Sequence, residues 1–449
     1  MNQLKAKILK HSLFAIIICL FWNCHSSKIL PRKTHQKLDE FIEQSPVFSK
    51  GHTGFMLYDP VNGQSLYQQN ASKYFTPASN TKIFTLYTAL KILKDTLSIC
   101  NYQIQNDSLL FWGTGNPLLL HPEFDESDTL ISFLQSHPDK QLFYSDHNFQ
   151  DGRFGAGWMW DDYSGGFQAE KAALPIFGNL AWINTDSNRT ISIRPSFFSD
   201  RLQYSRELST KYPRSTRAEM SNDFYYNQKA HQTPDYRRVI PFRYTPQVAT
   251  QVLRSYIDQR IVPIELDASQ ISNRQTFTQP LPDTIYKKLM KESDNFIAEQ
   301  LLLLCSDRLF DTISTQKVIA YAKEHLFSAA PDELLWYDGS GITRYNLFTP
   351  RTVVHTLDLL YKEFPRERLF EILAVGGQSG TIRRWYKAPK PYIYAKTGTL
   401  RNVHCLSGYL LTKSGKTLIF SFMHNHFNAP SSILKKEMTR VLEFIRDEL

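Results

Sequence analysis

Apolar runs with strand-like spacing mark both ends of the chain, and helical spacings sit beside them. Residues 53–58 and 64–68 flank Asp59-Pro60-Val61-Asn62-Gly63, which predicts a β-hairpin closed by an Asn-Gly turn. Ile83, Leu86, Tyr87, Leu90 and Leu93 then recur at helical spacing behind Pro77 and Ser79, predicting an amphipathic helix that starts at the serine. Near the other end, residues 391–397, 403–412 and 417–424 predict three strands of an antiparallel meander, with Lys413-Ser414-Gly415-Lys416 turning between the last two. Leu434, Met438, Val441, Leu442 and Ile445 predict a closing helix within 432–449. A lone hairpin is marginal in water, so the two ends are expected to share one sheet.

The middle differs in texture. From about residue 100 to 285, short runs (109–112, 142–144, 190–193) are separated by Gly and Pro in sequence rich in Ser, Asp, Asn, Arg and aromatic residues. This pattern predicts a β-rich insertion. The charged and aromatic stretch 200–238 is expected to be a subdomain surface or a mobile loop. At 449 residues the chain is too long for one compact core.

Residues 1–23 read as a secretory signal: Lys5, Lys7 and Lys10 precede an apolar run of about ten residues, half of what a membrane span needs. Cys24 follows directly, where a bacterial lipoprotein is cleaved and acylated, although Trp22 and Asn23 stand where small residues are usual. An ordinary signal peptide cut slightly downstream is the alternative. Export places the protein in the periplasm or cell envelope, either soluble or lipid-anchored through Cys24. Besides Cys24, the exported part holds Cys100, Cys305 and Cys405, a set that implies no disulfide framework. Loss of three leader lysines leaves a formal charge of +6 from +9, and no Lys/Arg block is dense enough to argue for nucleic acid.

Three strings carry candidate chemistry: Ser79-Asn80-Thr81-Lys82, Ser293-Asp294-Asn295 and Lys396-Thr397-Gly398. They match the S-x-x-K, S-D-N and K-T-G set of penicillin-binding proteins and serine β-lactamases. One match proves little, since Ser314-Thr315-Gln316-Lys317 and Ser432-Ile433-Leu434-Lys435 share the first spacing. On a helix, residues three apart share a face, so Ser79 and Lys82 can meet as nucleophile and base. An ammonium cannot accept a proton, so Lys82 must be neutral for part of the cycle; burial and a second cation, for which Lys396 is the candidate, both favour that. Ser293 is placed to relay a proton and Asn295 to orient Lys82 and a substrate amide. The plainer reading is that Ser293-Asp294-Asn295 caps a helix over 296–304, and both can hold. Lys396 and Thr397 are candidates for binding a carboxylate. Gly398 would let a substrate backbone approach, and the backbone N–H groups of Ser79 and Thr399 would form an oxyanion hole.

With these strings in that order and 214 residues between Ser79 and Ser293, the chain resembles the class C low-molecular-mass penicillin-binding proteins. This is the D-alanyl-D-alanine carboxypeptidase/endopeptidase family of penicillin-binding protein 4 type, peptidase family S13. Gly157-Trp158-Met159-Trp160-Asp161-Asp162, Asp338-Gly339-Ser340-Gly341 and Gly380-Thr381-Ile382 match further family segments, whereas Gly113-Thr114-Gly115-Asn116-Pro117 departs from the family's Gly-Asp-Pro wording. The resemblance implies an α+β serine β-lactamase/penicillin-binding-protein-like transpeptidase fold, an antiparallel sheet flanked by helices. Its catalytic domain would be split into 31–98 and 286–449 around a β-rich insertion over 99–285. It implies peptidoglycan peptides as substrate, β-lactams as inhibitors that acylate Ser79, and no cofactor or metal. Alternatives are a β-lactamase or esterase on the same scaffold and a non-catalytic envelope binding protein; carboxypeptidase against endopeptidase preference stays open. Asp161 and Asp162 are read chiefly as capping or turn residues, Cys405 as a small core residue, and His424 and His426 as ordinary surface histidines.

Overall fold

The computed structural model describes residues 30–449 apart from Glu126; the leader 1–23 and Cys24 lie outside the described residues. Both chain ends build one six-stranded antiparallel sheet. Its order is Ala374–Val375, Ile393–Leu400, Val403–Leu411, Thr417–Asn425, His52–Asp59 and Gln64–Gln69, so hairpin and meander join as expected. Gly63 takes the left-handed φ of +66° in the hairpin turn, and Asp59 Oδ1 accepts the N–H groups of Val61 and Asn62. Period-two alternation serves two buried faces here. Leu406, Phe420 and Phe422 point to one core, and Cys405, Ile419 and Met423 to the other.

The first face is covered by the Ser431–Glu448 helix, through Leu434, Met438, Val441, Leu442 and Ile445, and by an Arg32–Glu43 helix that the pattern did not reveal. The latter buries only Leu38, Phe41, Ile42 and Thr34, too short a stripe to stand out of its polar sequence. The second face carries the Pro350–Glu363 helix, with the Lys82–Leu93 helix packed against it, and here the structure corrects the amphipathic expectation. The nine residues from Lys82 to Leu90 are all buried, because the helix packs on both the Asn295–Phe310 and the Pro350–Glu363 helices. Nor does the serine open this helix. A 3₁₀ turn, Ala78–Thr81, precedes it and holds Ser79.

Residues 96–280 contain a five-stranded mixed sheet (Ile261–Pro263, Gln141–Ser145, Ser108–Trp112, Thr96–Gln105, Gln275–Pro280) and two three-stranded sheets between Leu180 and Pro241. The three runs singled out in the sequence are all strands. Within 200–238, the buried Arg217 guanidinium donates to the carbonyls of Ala218, Glu219, Ser221 and Pro241, pinning a segment that sequence suggested as a subdomain surface or mobile loop. Cys100, Cys305 and Cys405 are buried and free. Among the described residues, no helix is long and apolar enough to cross a membrane.

Candidate active site

Ser79 sits on a turn held from several sides. Ala78, just before it, adopts a left-handed φ of +47°, a conformation that persists only where the surroundings impose it. Asn80 N–H donates to Pro77 O at 3.1 Å, and Thr81 Oγ1 donates to Ala78 O at 2.8 Å. The buried Asn80 side chain ties the turn to the sheet: Nδ2 donates to Lys396 O at 2.8 Å, and Oδ1 accepts from Ser407 Oγ at 2.7 Å. Gly398 lies directly against the turn. A Cβ there would fall 2.3 Å from Pro77 O and 3.0 Å from Ser79 N. The position thus needs glycine for the serine's own turn.

Lys82 is fully buried, and its Nζ donates to Ser79 Oγ at 3.0 Å, Asn295 Oδ1 at 2.6 Å and Ser340 O at 2.7 Å. Burial lowers its pKa to about 8, against the opposing pull of Asp338, Asp294 and Glu299. A group with that value is neutral in roughly one molecule in ten at pH 7, against fewer than one in a thousand for a free lysine. Such a lysine can act as a base.

Ser293 also stands in a left-handed conformation, φ +65°, after one turn of π-helix at Lys288–Glu292. Asp294 caps the Asn295–Phe310 helix by accepting Ile297 N–H at 2.9 Å, as the plainer reading of the string expects. Ser293 Oγ accepts from Lys396 Nζ at 2.7 Å, and the same ammonium donates to Thr397 O. Lys396 is fully buried, and its pKa lies well below the ordinary lysine value, first through burial and then through Lys82. Burial is the largest cause of the lowered pKa at both lysines.

Beyond Ala395 the Ile393–Leu400 strand has no ladder partner on its outer side among the described residues, because Ala374–Val375 pairs only with Tyr394 and Ala395. That free edge borders a cleft of about 590 Å³ lined by Ser79, Ser293, Asn295, Asp162, Arg344 and Thr399, among others. Thr397 Oγ1 lies 2.7 Å from Thr381 Oγ1, and exposed Thr399 holds its hydroxyl 2.8 Å from His404 Nδ1. The structure thus brings together all three strings.

A sequence model of the D-Ala-D-Ala carboxypeptidase 3 (S13) family matches residues 34–220 and 267–444. The chain belongs to this family. D-alanyl-D-alanine carboxypeptidase DacB of Haemophilus influenzae is 22% identical, over 93% of this chain and 94% of its own. The solved structure of penicillin binding protein 4 (dacB) from Haemophilus influenzae matches with a TM-score of 0.71 at 21% identity, covering 92% of this chain and 99% of that one. A second structure of that protein, complexed with a β-lactam, matches with a TM-score of 0.68 at 20% identity, covering 91% and 99%. The likeness establishes the α+β penicillin-binding-protein fold.

In this S13 chain the other family segments converge on the same place. Buried Asp338 accepts Trp158 Nε1 at 2.9 Å, the N–H groups of Gly341 and Thr343 at 2.8 Å each, and Asn346 Nδ2 at 2.7 Å. It thereby rigidifies the loop that offers Ser340 O to Lys82. Asp162 lines the cleft rather than merely closing a turn, and burial followed by Asp161 raises its pKa. His426 is exposed as expected, but His424 is not a surface residue. It is fully buried with Nδ1 2.5 Å from Thr53 Oγ1, its ring between Phe48 and Phe427, and burial lowers its pKa to about 4. Among the described residues, no group of three or more His, Cys, Asp or Glu side chains could hold a metal. Asn80 and Glu299 escaped the sequence reading. Their positions inside Ser-x-x-Lys and one turn after Asn295 were the available signals.

Proposed function

We propose that this chain is a serine-type D-Ala-D-Ala carboxypeptidase and/or endopeptidase acting on peptidoglycan peptides through an acyl-enzyme on Ser79. The observation that carries the reading is the buried, easily neutralised Lys82, 3.0 Å from Ser79 Oγ and held by Asn295 at 2.6 Å. Neutral Lys82 takes the Ser79 proton as Oγ attacks the D-Ala carbonyl. The oxyanion rests on the backbone N–H groups of Ser79 and Thr399. Ser293 relays a proton to the leaving amine, and water then releases the acyl group. Because Lys396 is buried, it acts from behind Ser293 through its hydrogen bond to Oγ, while the hydroxyls of Thr397 and Thr399 meet the terminal carboxylate and Gly398 keeps strand and turn together. β-Lactams present a similar amide and carboxylate and are inhibitors of the same serine.

Support comes from the names of the relatives and from the β-lactam complex of the Haemophilus protein. The same reading divides the chain into catalytic parts 31–98 and 286–449 around an insertion over 99–285. It also places the protein in the envelope, exported by residues 1–23, either soluble or lipid-anchored on Cys24. Incubation with purified peptidoglycan peptides, read by mass spectrometry, tests the activity. D-Ala release or cross-link cleavage that disappears in Ser79→Ala is expected; neither product from the unaltered protein would sink the proposal.

A further inference from the structure

Beneath Lys82 lies a carboxyl group that the reaction above does not use. Glu299 follows Asn295 by one turn of the Asn295–Phe310 helix, on the same face. It is 1% exposed. Its Oε1 accepts Ser340 N–H at 2.7 Å, while the buried Oε2 has no hydrogen-bond partner. Ser340 O in turn receives Lys82 Nζ. The two acceptors of Lys82 other than Ser79 therefore depend on one helix face, Asn295 directly and Ser340 through Glu299. The loop lies tight on that face, since a Cβ on Gly339 would fall 2.7 Å from Ala298 O. A neutral side chain would serve to tie helix and loop. A buried carboxyl with one unpartnered oxygen is an expensive way to do so, which points to a use for its charge.

We propose that Glu299 is a positioning residue for Lys82: its hydrogen bond fixes the Ser340 carbonyl that receives the ammonium, and its charge sets how firmly Lys82 keeps its proton. This rests on the reading of Lys82 as the base. The charged groups facing Glu299 are Asp338 from the 338–341 loop, Lys171 from the segment before the Phe177 turn and Lys82 from its helix. Lys82 in turn faces Asp338, Asp294 and Glu299 and lies near Lys396. Burial and then Asp338 push Glu299 up to about 7, with Lys171 opposing, so its charge changes in the neutral range. Losing that charge makes Lys82 easier to deprotonate.

The experiment measures the rate of acylation by a penicillin against pH for the full chain, Glu299→Gln and Glu299→Asp, with thermal melting as the check on folding. Gln keeps an acceptor but no charge. Its rising limb should move to lower pH by about half a unit or more, with a plateau within about threefold of the unaltered enzyme. Asp keeps the charge but is one methylene shorter, so its limb should stay in place while its plateau falls about tenfold or more. A Gln limb that superimposes on the unaltered one, or a full plateau in Asp, overturns the proposal. If neither variant folds, infrared titration of the unaltered enzyme decides: a protonated carboxyl band must disappear over the neutral range, and its absence refutes the role. An unaltered protein that is not acylated at all sinks the Ser79 reading instead, whereas acylation with an unmoved limb sinks only the role of Glu299.

Discussion

The spacing Ser-x-x-Lys occurs both at Ser79–Lys82 and at Ser314–Lys317, and the two sites have opposite chemistry. Ser314 is a helix cap whose Oγ accepts Lys317 N–H at 3.4 Å, and the exposed Lys317 ammonium reaches Gln150 Oε1 and Thr312 Oγ1. Ser79 caps nothing. The turn before Lys82 and the helix after it both lack a side-chain cap, which leaves the hydroxyl to the ammonium of Lys82. One lysine is solvated, and the other is buried with three oxygen acceptors. The difference shows that spacing only allows the pair to meet. A hydroxyl not engaged in capping and a desolvated amine turn the meeting into chemistry.

Substitutions can break this contrast in a definite order. Lys82→Ala should slow acylation by about 10³-fold or more, the usual scale for losing a positioned base, whereas Lys317→Ala should leave it within about twofold. Gly398→Ala comes next: the added Cβ must push the strand from the Ser79 turn, and a displacement of this kind costs on the order of 100-fold in acylation rate. The pH profile sharpens the same contrast. Because neutral Lys82 is the reactive form, acylation should rise about tenfold per pH unit below about 8 and level above it. The sign for stability is the same. Folded Lys82 binds its proton less tightly than unfolded, so the penalty of burying the charge is full below about 8 and is relieved as pH rises towards the unfolded value. The smallest effect belongs to Ser314→Ala, which should leave acylation unchanged and cost about 1 kcal/mol of stability through the lost cap, read by denaturant melting.

What the sequence made legible was whatever local pattern carries. The hairpin, the meander and the closing helix are short-range features, and each lies where the pattern placed it. What it hid depended on the packing of distant segments. Gly398 needs its glycine for a contact with a turn about 300 residues away in the chain, and the burial of Lys396 with its Nζ on Ser293 depends on the same long-range packing. His424 resembled a surface residue because its cover, Phe48 and Phe427, lies outside its own strand. Asn80 and Glu299 form no motif of their own, so only the fold shows that they hold the turn and the loop around Lys82.

The most direct measurement is the site of the covalent adduct. After reaction with penicillin, proteolysis and mass spectrometry should place the penicilloyl group on the peptide containing Ser79, and Ser79→Ala should carry none. An adduct on Ser293, Ser314 or any other residue, or full labelling of Ser79→Ala, would contradict the account.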